Sequence, residues 1–158
     1  YAKPDSGKRN AVNISMITED VLFLLKKDNL IHKKIFFEIN IDKELHIIID
    51  EGHFRQIIWN LILNSIEAVD KNGVISIFTK KLDGMEMCEI TIKDNGQGIN
   101  KDNLKKIFTP FYTTKAKGTG LGLSMVYSIL EKYNSKLEVK SERGEGTSFI
   151  FSLQISDN

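Results

Sequence analysis

At 158 residues, of which 41% are hydrophobic, the chain has the size and composition of one soluble globular domain. Its 22 basic and 21 acidic residues leave a net charge of +1, so no global field draws nucleic acid and no basic cluster is dense enough to do so locally. No apolar run reaches the length of a membrane span, no signal peptide is seen, and the lone Cys88 cannot close an internal disulfide, in keeping with a reducing, cytoplasmic compartment.

Residues 1–10, with Pro4, Gly7 and several charges, read as a linker. An amphipathic helix is predicted over 15–28, with Ile17, Val21, Leu22, Leu24 and Leu25 as its apolar stripe. Two strands, 35–39 and 45–49, flank residues 40–44 as an adjacent pair, and Asp50 is placed to cap the next helix, 51–69. That helix is apolar on most of its circumference, through Phe54, Ile57, Ile58, Leu61, Ile62 and Ile66 among others, which marks it as a core helix. Its polar exceptions Gln56, Asn60, Asn64 and Glu67 fall within an arc of roughly 80° at about 100° per residue. Such a stripe faces either water or a ligand. Two asparagines four apart favour the ligand, because they are poor helix formers that gain little on a solvated face. Carboxamide oxygens are hard donors suited to magnesium.

Strands 74–79 and 87–92 flank the Asp83-Gly84 turn and predict a hairpin. The second runs into Lys93-Asp94-Asn95-Gly96-Gln97-Gly98-Ile99. A carboxylate before two spaced glycines is either an ordinary turn or a hydrogen-bond acceptor beside backbone that folds tightly under a flat ring. The stretch 97–120 is too long for an idle connection and reads as a lid with one short helix, 101–107, anchored by Phe108 and Phe111. It includes the polar, cationic run Thr109-Pro110-Phe111-Tyr112-Thr113-Thr114-Lys115, and Gly118-Thr119-Gly120-Leu121-Gly122-Leu123-Ser124 then leads into a helix over 121–133. Glycines there let backbone approach a ligand, and the first helical turn offers N–H groups and a dipole that favour phosphate. The spacing fits neither a Walker loop nor a dinucleotide fingerprint, and taken alone it is equally compatible with a flexible turn. Strands 136–140 and 148–153, joined by Gly144-Glu145-Gly146-Thr147, close the chain. The pattern predicts an α/β, two-layer sandwich: a mixed, mainly antiparallel sheet with about three helices on one face. The other face would carry Lys80, Glu89, Thr91, Lys93, Glu138 and Lys140.

In this order the segments resemble the ATP-binding catalytic domain of bacterial sensor histidine kinases, within the class that also holds DNA gyrase, MutL and heat-shock chaperones. Residues 60–68 resemble the family's asparagine box, 94–98 its first glycine box, 108–111 its phenylalanine box, 118–123 its second glycine box and 144–147 its third. The likeness spans 11–155, and the runs 109–115 and 118–124 point to kinases of the nitrogen-regulation type.

The resemblance implies Mg-ATP as ligand and a long ATP lid. Asp94 would accept from the adenine amino group, Gly96 and Gly98 would make room for the base, and Thr147 would sit near a water shared with Asp94. Asn64 would coordinate magnesium with Asn60 in support. Gly118, Gly120 and Gly122, with the N–H groups of Thr119, Leu121 and Leu123, would hold the phosphate chain. Thr113, Thr114 and Lys115 have the chemistry for phosphate oxygens, with Lys117 as a second cation, and Asn64 and Lys115 are the residues expected to act at the phosphoryl group itself. Ile92, Ile99, Ile107 and Leu123 serve equally well as walls for the base or as core. Glu67 and Ala68 stand where many family members carry a basic residue and Tyr.

Family kinases transfer the γ-phosphoryl group to a histidine followed by an acidic residue on a separate helical hairpin. Here His32, His46 and His53 precede Lys33, Ile47 and Phe54, so all three read as surface or capping residues. Tyr1-Ala2-Lys3-Pro4 resembles the end of that hairpin, which makes 1–10 a linker and 11–158 the catalytic domain. The implied partners are the parent's own hairpin and a downstream response regulator, with no nucleic acid or membrane contact by this segment and a monomer as the isolated domain. Any membrane anchor of the parent would lie outside these residues. The other function class that the residues allow is a regulatory nucleotide-binding module or a gyrase-class ATPase.

Overall fold

The computed structural model describes residues 7–31, 34–110, 112 and 120–157. Strand β1 (Asn10–Asn13) leads directly into helix α1 (Ile14–Lys27). Asn13 makes the transition, its side-chain oxygen accepting from the Met16 N–H at 2.9 Å, and Lys26 and Lys27 complement the dipole in the last turn. Strands β2 (Ile35–Asn40) and β3 (His46–Ile49) precede helix α2 (Glu51–Ala68), which Asp50 caps as predicted by accepting from the His53 N–H at 3.1 Å. Strands β4 (Gly73–Lys81) and β5 (Met87–Asp94) form the predicted hairpin. The short helix α3 (Lys101–Leu104), helix α4 (Gly122–Glu131) and a last antiparallel pair, β6 (Glu138–Glu142) and β7 (Gly146–Gln154), complete the order.

The main sheet has five strands in the order β2-β4-β5-β7-β6, antiparallel throughout except for the parallel pair β2-β4. The α1, α2 and α4 side chains share one core with the inward residues of β4, β5 and β7, which is the two-layer sandwich expected. Phe54, Ile57, Ile58, Leu61 and Ile62 of α2 are completely buried. At roughly 1.5–3 kcal/mol for each large apolar side chain removed from water, this one helix supplies a large share of the driving force for folding. Among the described residues no helix is long and apolar enough to cross a membrane.

The pairing expected of the strands at 35–39 and 45–49 is corrected. Strands β2 and β3 are not neighbours in one sheet: β3 pairs antiparallel with β1 in a separate two-stranded sheet, starting at Asn10 within the stretch read as linker. A single bridge, Ile47 to Ile155, ties that small sheet to the end of β7. The stretch between β2 and β4, which contains β3 and α2, is the long crossover that a parallel pair requires. Thr91 lies on the open face of the sheet, as expected, and is only 4% exposed there because Phe78 and Ile150, its direct cross-strand neighbours, cover it.

His53 is also buried rather than on the surface. Its Nδ1 meets the Tyr133 hydroxyl at 2.5 Å, and that hydroxyl accepts from the Asp50 N–H at 3.1 Å. The Arg9 guanidinium lies over the Tyr133 ring, 4.7 Å from its centroid, and donates to the Lys132 carbonyl at 2.8 Å. His46 keeps to the surface beside the Glu44 carbonyl, and His32 lies outside the described residues. Cys88 is the small core residue expected; burial pushes its thiol up to about 11.

One phenol oxygen therefore ties the start of α2 to the residues just after α4. Tyr133→Phe should cost about 1–3 kcal/mol, since the Asp50 N–H and His53 lose that partner, and should lower the melting temperature by about 2–10 °C. Thermal unfolding followed by circular dichroism measures this, and an unshifted transition would show the hydroxyl to be dispensable.

Candidate nucleotide site

On the helix-covered face, the inward side chains of β5 are Cys88, Ile90 and Ile92, all without exposure, and the next inward position is Asp94, 2% exposed. Strand β7 repeats the pattern with Phe149, Phe151 and Leu153 inside, and Thr147 at the same end. The register sets Asp94 opposite Thr147 and Thr147 opposite Ser141. Directly opposed residues of an antiparallel pair share a face, so one end of an apolar layer finishes in a polar row.

The backbone closes tightly around that row. Asp94 Oδ1 accepts from the Gly96 N–H at 2.9 Å, the Gln97 N–H donates to the Ala68 carbonyl at 3.1 Å, and the Ile99 N–H donates to Ser141 Oγ at 2.8 Å. A Cβ on Gly96 would collide with the Ala68 carbonyl at the end of α2. Gly98 has φ +71° and a Cβ there would overlap the Glu142 carbonyl, so it needs glycine for both conformation and space.

The asparagine stripe lies on the other side. Asn60 Nδ2 donates to the Gln56 carbonyl at 2.9 Å and Asn64 Nδ2 to the Asn60 carbonyl at 2.8 Å, so each amide is held against its own helix. Both lie under the start of α4: a Cβ on Gly122 would stand 3.1 Å from Asn60 Oδ1 and 3.7 Å from Asn64 Nδ2. Among the described residues no side chain caps α4, and Gly120, at φ +72°, turns the chain into its first turn. Half-buried carboxamides beside an N-terminal turn without a side-chain cap suit an anion with its counter-cation. Among the described residues no three His, Cys, Asp or Glu side chains gather to hold a metal ion.

The structure thus brings Asp94, Gly96, Gly98 and Thr147 to one end of the sheet, and Asn60, Asn64, Gly122 and Leu121 to the facing helices. Ile99 and Leu123 are half-buried, Ile107 is 7% exposed, and Ile92 is sealed in the core. Phe108 anchors its segment as expected, packing on Tyr127 with ring centroids 5.4 Å apart. The helix expected over 101–107 spans only Lys101–Leu104, where the Asn100 side chain caps it, and the following residues form turns. Glu67 is exposed. Phe111, Thr113, Thr114, Lys115, Lys117, Gly118 and Thr119 lie outside the described residues. Ser141 is absent from the residues predicted: the strand read as ending at Lys140 extends to Glu142. An inward polar residue two places after Val139 was the available signal.

Residues 49–157 match the family described as histidine kinase-, DNA gyrase B-, and HSP90-like ATPase. The chain is 36% identical over 155 residues to sensor histidine kinase ZraS of Escherichia coli K12, covering 98% of this chain and 33% of that protein. It is 34% identical over 158 residues to sporulation kinase E of Bacillus subtilis 168, covering 99% of this chain and 21% of that one. The chain therefore spans a third or less of the length of these relatives. The nucleotide-free catalytic domain of histidine kinase ThkA superposes with a TM-score of 0.78 at 29% identity, covering 93% of this chain and 95% of that one. Full-length ShkA in complex with AMPPNP superposes with a TM-score of 0.79 at 25% identity, covering 99% of this chain and 32% of that one.

The interlock at Gly98 separates conformation from crowding. Gly84, also at φ +71°, has open space around its Cβ position. Gly84→Ala should cost only the left-handed penalty of about 1–2 kcal/mol. Gly98→Ala adds a clash with backbone, so its melting temperature should fall further than that of Gly84→Ala; equal losses would mean that residues 95–99 are not held against the 142–146 turn.

Proposed function

Because the chain belongs to the histidine kinase-, DNA gyrase B-, and HSP90-like ATPase family, with sensor histidine kinases among its relatives, we propose that it binds Mg-ATP and donates the γ-phosphoryl group to a histidine on a separate helical hairpin. The observation that carries this reading is the pairing of two half-sites: a buried acceptor row at the sheet end and an asparagine stripe beneath an N-terminal helical turn.

In this reading Asp94 accepts from the adenine amino group and Thr147 holds a water beside it. Gly96 and Gly98 keep the backbone low enough for a flat ring, with Ile99, Ile107 and Leu123 along its edges. The N–H groups of Leu121, Gly122 and Leu123 face the phosphate chain together with Gly118, Thr119 and Gly120, and Thr113, Thr114 and Lys115 close over it. Asn64, seconded by Asn60, holds magnesium. The metal, when bound, neutralises phosphate charge and orients the terminal phosphoryl group. The protein's contribution is position and electrostatics more than covalent chemistry, because phosphoryl transfer passes through a loose transition state. Residues 11–158 would form the catalytic domain and the residues before them the connection to the hairpin. A response regulator would take the phosphoryl group onward, in the cytoplasm.

None of His32, His46 or His53 is followed by an acidic residue, and His53 is committed to Tyr133. A general base must reach the proton it takes, so the acceptor comes from elsewhere. Incubated with γ-labelled ATP and magnesium, this chain alone should acquire no acid-labile label. It should slowly label the folded hairpin of its parent, in a concentration-dependent way. Label on this chain alone contradicts the acceptor argument, and an unlabelled hairpin at high concentration favours a regulatory nucleotide-binding module.

Asn64→Ala should abolish the gain in ATP affinity that magnesium gives while leaving the melting temperature within a few degrees, since the residue is half-buried. Calorimetric titration with magnesium and with a chelator reads this directly. An undiminished magnesium effect in the variant would take Asn64 out of the metal site.

A further inference from the structure

Ser141 stands at a junction of three segments. Its Oγ lies 2.8 Å from the Ile99 N–H, 3.0 Å from the Gly146 carbonyl and 2.8 Å from Thr147 Oγ1. A serine hydroxyl has one proton and two lone pairs. The Ile99 N–H can only donate, and the Gly146 carbonyl can only accept. The Ser141 proton is therefore spent on Gly146, and the contact with Thr147 is satisfied when Thr147 donates to the remaining lone pair. This assignment fills all three contacts of Ser141 with neither a surplus proton nor a missing one.

The consequence falls on the neighbouring strand. Thr147 sits between Ser141 and Asp94 in the cross-strand row. With its single proton turned toward Ser141, its oxygen presents lone pairs toward the Asp94 side. Asp94 is also an acceptor, its Oδ1 taking the Gly96 N–H. Two adjacent acceptors, 4% and 2% exposed, form the polar end of the layer, and such a surface suits a ligand edge rich in donors. At position 6 a 6-amino purine brings N–H donors to these oxygens, whereas a 6-oxo purine sets a carbonyl oxygen against them. Leaving buried acceptors opposed is the kind of mismatch from which enzymes derive strong discrimination.

We propose that Ser141 is a positioning residue that fixes the direction of the Thr147 hydroxyl and so makes the base pocket selective for 6-amino over 6-oxo purines. This rests on the reading that Asp94 and Thr147 face the base. Calorimetric dissociation constants for ATP and for inosine triphosphate, both with magnesium, test it in the wild-type chain, Ser141→Ala, Ser141→Thr, Thr147→Val and the Ser141→Ala/Thr147→Val double variant. The ATP preference of the wild type should shrink about five- to tenfold in Ser141→Ala, the effect of one hydrogen bond, and survive in Ser141→Thr, which keeps the hydroxyl. In the Thr147→Val background Ser141→Ala should leave the preference unchanged, because the group it orients is gone. Should Ser141→Ala fail to fold, Ser141→Cys carries the same expectation through the weak acceptor strength of a thiol. Equal weakening of both nucleotides with an intact ratio, or additive losses in the double variant, overturns the proposal and leaves Ser141 a structural tie. A wild-type chain that binds neither nucleotide overturns the nucleotide reading itself.

Discussion

The contact on which the rest of the site depends is between backbones: the carbonyl of Ala68, in the last turn of α2, accepts from the Gln97 N–H and lies against Gly96. No side chain can be interposed there, so the helix end and the loop after β5 are fixed relative to each other more tightly than side-chain packing alone would fix them. Asn64 is one helical turn before Ala68, and Asp94 is two residues before Gly96. Through that carbonyl the two residues assigned to opposite ends of a nucleotide acquire a set separation. A mobile joint at this point would leave both groups present but mispositioned, and misplacement by about 1 Å can cost a hundredfold in rate.

Burying Asp94 is costly unless the carboxylate gains hydrogen bonds in return. The Gly96 N–H supplies one, drawn from the same tight loop. The apolar strands behind it, Ile92 and Phe149 in particular, exclude water and hold the carboxylate in a low-dielectric setting where a hydrogen bond to a ligand is strengthened. The hydrophobic layer and the polar row are thus one device. The layer sets the depth and dryness of the row, and the row ends the layer.

Much of this was legible in the sequence because it is written in short periods. The 3.6-residue pattern of 51–68 with Asp50 before it, and the Asp83-Gly84 hairpin, are local signals, and they emerge in the structure nearly at the predicted bounds. The small β1-β3 sheet and the parallel β2-β4 pairing are not local: Asn10 meets Ile49 and Ile35 meets Gly73 through contacts that no sequence window contains. His53 was misjudged for the same reason, since Tyr133, which meets it, is eighty residues away in the chain. At the site, Asp94, Asn60 and Asn64 stood out because each is polar in an apolar context. Ser141 did not, because the charged residues and glycine after it read as the turn itself, and only the register reveals it as the third member of a row.

Helix α4 shows how the two halves of the fold are made to share one geometry. Its first turn rests over Asn60 and Asn64, in the middle of α2, and just beyond its last turn Tyr133 bonds to Asp50 and His53 at the start of α2. The two helices therefore run in opposite directions and are held at two places about seven to fourteen residues apart along α2, a span of roughly 10–20 Å at 1.5 Å per residue. A helix pinned at both ends cannot pivot to follow a ligand. The start of α4 over the α2 asparagines and the sheet end at Asp94 are thus each built on backbone that packing and hydrogen bonds hold in place.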